Sequence, residues 1–278
     1  MLTRCAVLGS PVAHSLSPVL HRAAYRELGL AWEYDAIEVT EEELPDFLDG
    51  LRPPWRGLSL TMPLKRAVLP LLDEVSETAR AAGAANTLLL DVHGRRTGEN
   101  TDVPGMVSAL EERGVSRVAT AVVVGGGATA TSAVLALSRM GCHSVTLWVR
   151  EPARARETLE AAARVTGAPS VQVAGAETPV EDQGEVDLVL STIPASAQEP
   201  VAVGLAERAA AVFDVLYDPW PTPLARAATS AHRPLVSGLD LLLHQATRQV
   251  ELMTGCDTAP LEAMRSAGRA ALAGRGAG

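Results

Sequence analysis

VVVGGGATATSAV, Val122–Val134, decides how this chain is read: three valines end an apolar strand, three glycines make a turn, and a helix-forming run follows. In such a strand–turn–helix the backbone N–H groups at the helix start face a pyrophosphate. Gly125 makes the turn, Gly127 lets the backbone approach the phosphates, and Ala130 takes the packing position. Gly126, Ala128 and Thr129 complete the predicted dinucleotide-binding turn. Glycines also join strands to helices for steric reasons alone, but here the flanking strand and helix favour a nucleotide.

Outward from the turn, apolar runs predict strands over 118–124, 144–149, 170–173, 186–191 and 211–215, with helices over 130–140 and 153–164. Strands and helices that alternate through short connections imply parallel pairing with right-handed crossovers. The expectation is α/β: a Rossmann-like, doubly wound dinucleotide domain over 104–237. Its second strand ends in WVREPARAR. An acidic residue there binds the ribose hydroxyls of NAD, whereas arginine accommodates a 2′-phosphate. Arg150 and Arg154 therefore favour NADP(H). Glu151, between them, leaves NAD open, and Arg156 reads equally well as part of a solvated helix face.

Before the turn, the order is strand (4–9), loop GSPVAHSLSP, helix (18–28) and strand (31–39). A capping box, Thr40 with Glu43, opens the next helix. A strand over 56–60, helical turns to Ala82, a strand over 86–92, a tight HGRRTG turn and the loop GENTD follow. After the nucleotide domain come two helices, one starting behind Gly238 and one over 260–272. No strand follows either, so both are expected to return to the first half. The substrate-binding α/β domain is thus read as 1–103 plus 238–278, with the AGRGAG tail frayed.

A length of 278 residues suits two domains, and 47% hydrophobic with 21% charged residues is the composition of a soluble protein. A net charge of -9 argues against nucleic acid and anionic membrane as partners. Cys5, Cys142 and Cys256 form no CxxC pair, no metal site is expected, and no apolar run spans a bilayer. The chain enters its first strand without a long apolar signal core, so the expected location is cytoplasmic. A homodimer is an open expectation, because no heptad seam marks an interface.

Some residue types are scarce enough to draw attention. Lys65, in GLSLTMPLKR, is the only lysine among 24 Lys and Arg residues. Arginine stays charged, whereas a lysine ammonium can trade its proton. Asn86 in GAANT and Asn100 in GENTD are the only asparagines. An amide donates and accepts at once, which suits a vicinal diol, although either residue also reads as a turn former. Asp102 can set a carboxylate beside Asn100. Ser15 and Ser17, two apart, share a face if their loop is extended, and could then bind a carboxylate.

Taken in order, GSPVAHSLSPVLH, LTMPLK, GAANT, GENTDVPG, the glycine turn, STIP, DVLYDPWPTPL and GLDLLLHQA resemble the shikimate dehydrogenase family from about Cys5 to Met253. The resemblance implies a two-domain enzyme that reduces 3-dehydroshikimate with NADPH, on the cytoplasmic route to aromatic amino acids. Carried over by position, it makes Lys65 and Asp102 the catalytic pair and puts Ser15 and Ser17 on the substrate carboxylate. It sets Thr61, Asn86, Asp102 and Gln245 around the ring hydroxyls, and Tyr217 and Gly238 where substrate meets nicotinamide. Thr192 and Ile193 would line the cofactor side. The chain departs from the family at Ser59 and Arg22, where asparagine is usual, and at Ala128, where glycine is. Ser59 bears on the discrimination against quinate. Two other readings stand beside this one: a quinate/shikimate dehydrogenase using NAD, and a sensor that binds both ligands without turnover.

Overall fold

The computed structural model describes residues 2–175, 178 and 184–275, which fall into two compact units. One is Met1–Thr101 with Leu242–Gly278, and the other is Asp102–Leu241. In the first, β1 (Thr3–Gly9), α1 (Ser17–Glu27), β2 (Trp32–Glu38), α2 (Leu44–Asp49) and β3 (Trp55–Leu60) follow in order. Then come α3 (Leu64–Ala67), β4 (Glu74–Val75), α4 (Glu77–Ala82), β5 (Thr87–Leu90) and β6 (Arg96–Glu99). The sheet order is β2-β1-β3-β5-β6-β4, with β5 antiparallel to both of its neighbours.

β1 is the apolar run RCAVLG because both of its faces are covered, the pattern of a central strand. Ala6 and Leu8 join Leu58, Leu60, Leu64 and Leu88 on one face. Cys5 and Val7 pack with Tyr25, Tyr34 and Met253 on the other. The Thr40–Glu43 capping box is present: Thr40 N–H and hydroxyl both donate to Glu43 Oε2 at 2.9 Å, and Glu43 N–H returns to Thr40 Oγ1 at 3.3 Å. β6 and the two-residue β4 lie where only a turn, a loop and helical turns were expected. RTGE has neither apolar alternation nor length, and only pairing with β5 and β4 makes it a strand.

The second unit runs α5 (Asp102–Glu112), β7 (Thr120–Val124), α6 (Ala128–Arg139), β8 (Ser144–Trp148), α7 (Arg156–Ala163), β9 (Ser170–Ala174) and β10 (Val186–Ser191). It continues with α8 (Ala202–Arg208), β11 (Ala209–Asp214), α9 (Pro223–Ser230) and β12 (Leu235–Val236). Every pairing in its sheet is parallel, in the order β12-β11-β10-β7-β8-β9. Counted from β7, this is the 3-2-1-4-5-6 arrangement of the doubly wound dinucleotide fold, whose ligands lie beyond the strand C-termini. The structure adds α5, α8, α9 and β12, to which the sequence reading assigned no element.

Helix α10 (Gly238–Thr254) begins in the second unit and continues into the first, and α11 (Leu261–Arg275) packs on α1. Ala273–Arg275, expected to fray, end α11, and 276–278 lie outside the described residues.

A second capping box starts α10. Ser237 N–H and hydroxyl donate to Asp240 Oδ2 at 2.9 and 2.8 Å, and Arg113 Nη2 reaches Asp240 Oδ1 at 2.9 Å. Burial pushes the Asp240 carboxyl up, but these donors together outweigh it and hold the group below the usual aspartate range. A carboxyl lowered in the folded state stabilises above its unfolded pKa, about 3.9, and loses that contribution as pH falls through the folded value. Asp240→Asn should therefore lower Tm at pH 7, and the gap from wild type should close below about pH 4. Thermal melts from pH 3 to 8 measure it, and a gap independent of pH would refute the assignment.

Candidate functional site

In the second unit the glycine turn is shaped by close approach. Gly125 has φ +114°, and a Cβ there would strike the Thr192 hydroxyl. Thr192 is itself committed to the end of β7, its N–H and Oγ1 donating to Val124 O at 2.9 and 3.0 Å. Ile193 follows it. A Cβ on Gly126 would lie 2.5 Å from the Arg154 carbonyl oxygen, so the turn and the segment after β8 touch backbone to backbone. Gly127 precedes α6 with nothing within 4 Å of its Cβ position, and Ala128 and Thr129 begin the helix. Open space at the N-terminus of a twelve-residue helix fits a pyrophosphate. Arg150 and Arg154 flank Glu151, which lies 3.7 and 3.6 Å from them.

The segment that carries Tyr217 is anchored from below by Asp214, at the end of β11. Its buried carboxylate accepts from Thr222 Oγ1 at 2.6 Å, Gln198 Nε2 at 2.9 Å and Leu216 N–H at 3.2 Å. Burial raises the Asp214 pKa, and these three donors partly offset it. Gly238 N–H donates to Leu216 O at 3.0 Å, and a Cβ at 238 would collide with the Val215 carbonyl. Asp214 escaped the sequence reading, although an aspartate closing an apolar strand is a legible sign of a buried acceptor.

In the first unit two of the predicted substrate residues, Thr61 and Asn86, lie at one end of the sheet, together with Thr101, which the sequence reading did not single out. Thr61 follows β3, Asn86 precedes the antiparallel β5, and Thr101 follows β6, so antiparallel pairing brings all three to the same edge. Lys65 is half-buried on α3, the helix entered directly from β3. Asp102, 5% exposed, opens α5 and the second unit.

Asn86 is the centre of this edge. Its Oδ1 accepts from Thr101 N–H at 2.8 Å and Thr87 Oγ1 at 2.9 Å. Its Nδ2 donates to Thr101 Oγ1 at 2.9 Å and Gln245 Oε1 at 3.3 Å. Asn100 plays another part, its amide donating to Ala84 O at 3.0 Å and securing the turn after α4. Ser15 Oγ accepts Ser17 N–H at 3.2 Å. Leu16 is helical, at φ -86° and ψ -6°, so the extended-loop argument for a shared serine face does not hold. Arg22 turns to β2, donating to Tyr34 O at 2.8 Å and pairing with Asp35 at 2.9 Å.

Concavity alone would point elsewhere. A cavity of about 350 Å³ lined by Leu48, Arg52, Trp55, Leu90 and Arg96 sits at the opposite end of this sheet, and no predicted site residue lines it. Among the described residues no group of three or more His, Cys, Asp and Glu could hold a metal, and no helix is long and apolar enough to cross a membrane.

Sequence and structure comparisons converge on one family. The profile of the shikimate dehydrogenase substrate binding domain matches residues 7–88, and that of the shikimate 5'-dehydrogenase C-terminal domain matches 238–267. A shikimate dehydrogenase (NADP(+)) of Desulfitobacterium hafniense is 34% identical over 284 residues, covering 98% of this chain and 100% of the relative. The crystal structure of Mycobacterium tuberculosis shikimate dehydrogenase superposes with a TM-score of 0.88 at 40% identity, covering 96% of this chain and 99% of that one. Shikimate 5-dehydrogenase of Thermus thermophilus, in complex with NADP(H) and shikimate, gives 0.82 at 33% identity, over 97% and 100% of the chains. Both units and the returning helices fall within these matches, and the chain belongs to the shikimate dehydrogenase family.

Proposed function

We infer that the protein catalyses the reversible reduction of 3-dehydroshikimate to shikimate with NADPH. The observation that carries this is the buried cluster of Asn86, Thr101 and Gln245 at the sheet end from which Lys65 emerges. Such a cluster offers donors and acceptors together, as a ring bearing adjacent hydroxyls requires. Thr61 and Asp102 extend this set, and Ser15 and Ser17 serve the carboxylate. Gly125–Gly127, Ala128 and Thr129 hold the pyrophosphate, Arg150 and Arg154 the 2′-phosphate. Thr192, Ile193, Tyr217 and Gly238 flank the nicotinamide. When bound, NADPH supplies the hydride. Lys65 gives the proton to the developing alkoxide, with Asp102 as the second member of the catalytic pair. In this reading the enzyme works in the cytoplasm, on the route to aromatic amino acids.

A two-by-two assay tests it: 3-dehydroshikimate or 3-dehydroquinate, each against NADPH or NADH. The highest kcat/KM is expected for 3-dehydroshikimate with NADPH. A maximum with 3-dehydroquinate and NADH would replace the reading by a quinate dehydrogenase, and binding of both ligands without turnover would make the protein a sensor.

A further inference from the structure

Behind Asn86 lies a second, wholly buried amide, Gln249, one helical turn beyond Gln245 on α10 and 1% exposed. Its Nε2 donates to the Asn86 carbonyl at 3.1 Å and to Thr87 Oγ1 at 2.9 Å. Its Oε1 accepts from Ser59 Oγ at 2.8 Å, and Ser59 accepts in turn from the Tyr34 hydroxyl at 2.5 Å. Tyr34 is fully buried, and His21 stacks on its ring at 3.9 Å while contacting Ser17 O through Nδ1 at 2.9 Å.

Every donor and acceptor in this chain is dictated by two backbone groups. The Asn86 carbonyl can only accept, so the nitrogen of Gln249 must face it and the oxygen must face Ser59. Ser59 then spends its single proton on Gln249 and must accept from Tyr34. The second proton of Gln249 Nε2 goes to Thr87 Oγ1, which leaves the Thr87 hydroxyl to donate to Asn86 Oδ1. Thr101 N–H can only donate, and it holds Oδ1 on that same side. Asn86 is thereby locked with its oxygen turned into the protein and its nitrogen edge toward Gln245 and Thr101 Oγ1.

We propose that Gln249, with Ser59 and Tyr34 behind it, is a positioning unit that fixes the amide orientation of Asn86 and, through the hydrogen bond from Asn86 Nδ2 to Gln245 Oε1, that of Gln245, and so the arrangement of polar groups that receives the substrate ring. It rests on the functional reading above. It also gives Ser59 a definite role: at 4% exposure its hydroxyl is spent between Tyr34 and Gln249 rather than turned to the ring, and the amide at this depth is supplied by α10.

The test is calorimetric binding of shikimate and, separately, of NADP+ to the full chain and to Gln249→Met, which keeps the volume and removes the polar links. Leaving buried partners unsatisfied is expected to weaken shikimate binding about tenfold, with NADP+ binding within about twofold of wild type. Ser59→Ala should weaken shikimate binding in the same sense. The double variant should be no worse than Gln249→Met alone, because both changes break one chain. Should Gln249→Met fail to fold, Ser59→Ala decides. Shikimate affinity unchanged, or shikimate and NADP+ affinity lowered alike, overturns the proposal. Wild-type protein that binds no shikimate would instead defeat the functional reading, and the proposal with it.

Discussion

Lys65→Met is expected to lower kcat about 1,000-fold while leaving the KM for shikimate within a few-fold of wild type, because general acid–base catalysis is worth roughly 100- to 10,000-fold. Lys65→Arg should behave almost as badly. It keeps the positive charge, so substrate still meets a cation, but guanidinium does not release its proton at accessible pH. A loss in kcat without an equal loss in affinity is the signature of a contact made only in the transition state. The reverse reaction gives an independent check. Oxidising the alcohol needs a group that takes up the hydroxyl proton, so both variants should lose alcohol oxidation in step with ketone reduction. Near-normal kcat in Lys65→Arg would reduce the lysine to an electrostatic clamp.

The double variant Arg150→Ala/Arg154→Ala should lower kcat/KM for NADPH about 100-fold or more and leave that for NADH nearly unchanged. Hydrogen bonds to charged groups contribute about 1.5–3 kcal/mol each, and two are removed. In the protein alone the arginines are exposed and paired only loosely with Glu151, at 3.7 and 3.6 Å. Such pairs contribute about 0–1 kcal/mol, so Tm should scarcely move and the loss can be assigned to the cofactor. Glu151 makes the experiment sharper. As the existing counter-ion of both guanidinium groups it competes with a 2′-phosphate, so Glu151→Gln in the wild-type background should widen the preference for NADPH. An equal fall for NADPH and NADH would mean that the arginines act on the dinucleotide generally.

What could be read without coordinates follows a physical division. β7, the glycine turn and α6 were legible because a strand buried on both faces is a continuous apolar run and the turn needs glycine at φ +114°. The Thr40–Glu43 capping box was legible because it is complete within four residues. β6 was not, since a polar four-residue strand exists only through its partners. The serine loop misled for a related reason: alternation presumes extended backbone, and Leu16 is helical. Gln245 came from motif order, but Gln249 could not. It stands in the same helix with no local sign of its role, and its partner Ser59 lies 190 residues earlier in the chain. Of the two asparagines that scarcity singled out, one stands at the polar cluster and the other secures a turn, a distinction that only hydrogen-bond partners reveal.

The half-buried lysine on α3 has a further consequence, for spectroscopy rather than catalysis. With arginine at every other Lys or Arg position, the chain carries one side-chain primary amine. Reductive methylation with isotope-labelled formaldehyde would leave the guanidinium groups alone and place one side-chain signal at Lys65, besides that of the terminal amine. The titration of that signal, and its response to shikimate or dinucleotide, could be followed directly, without the overlap that dozens of lysines ordinarily create.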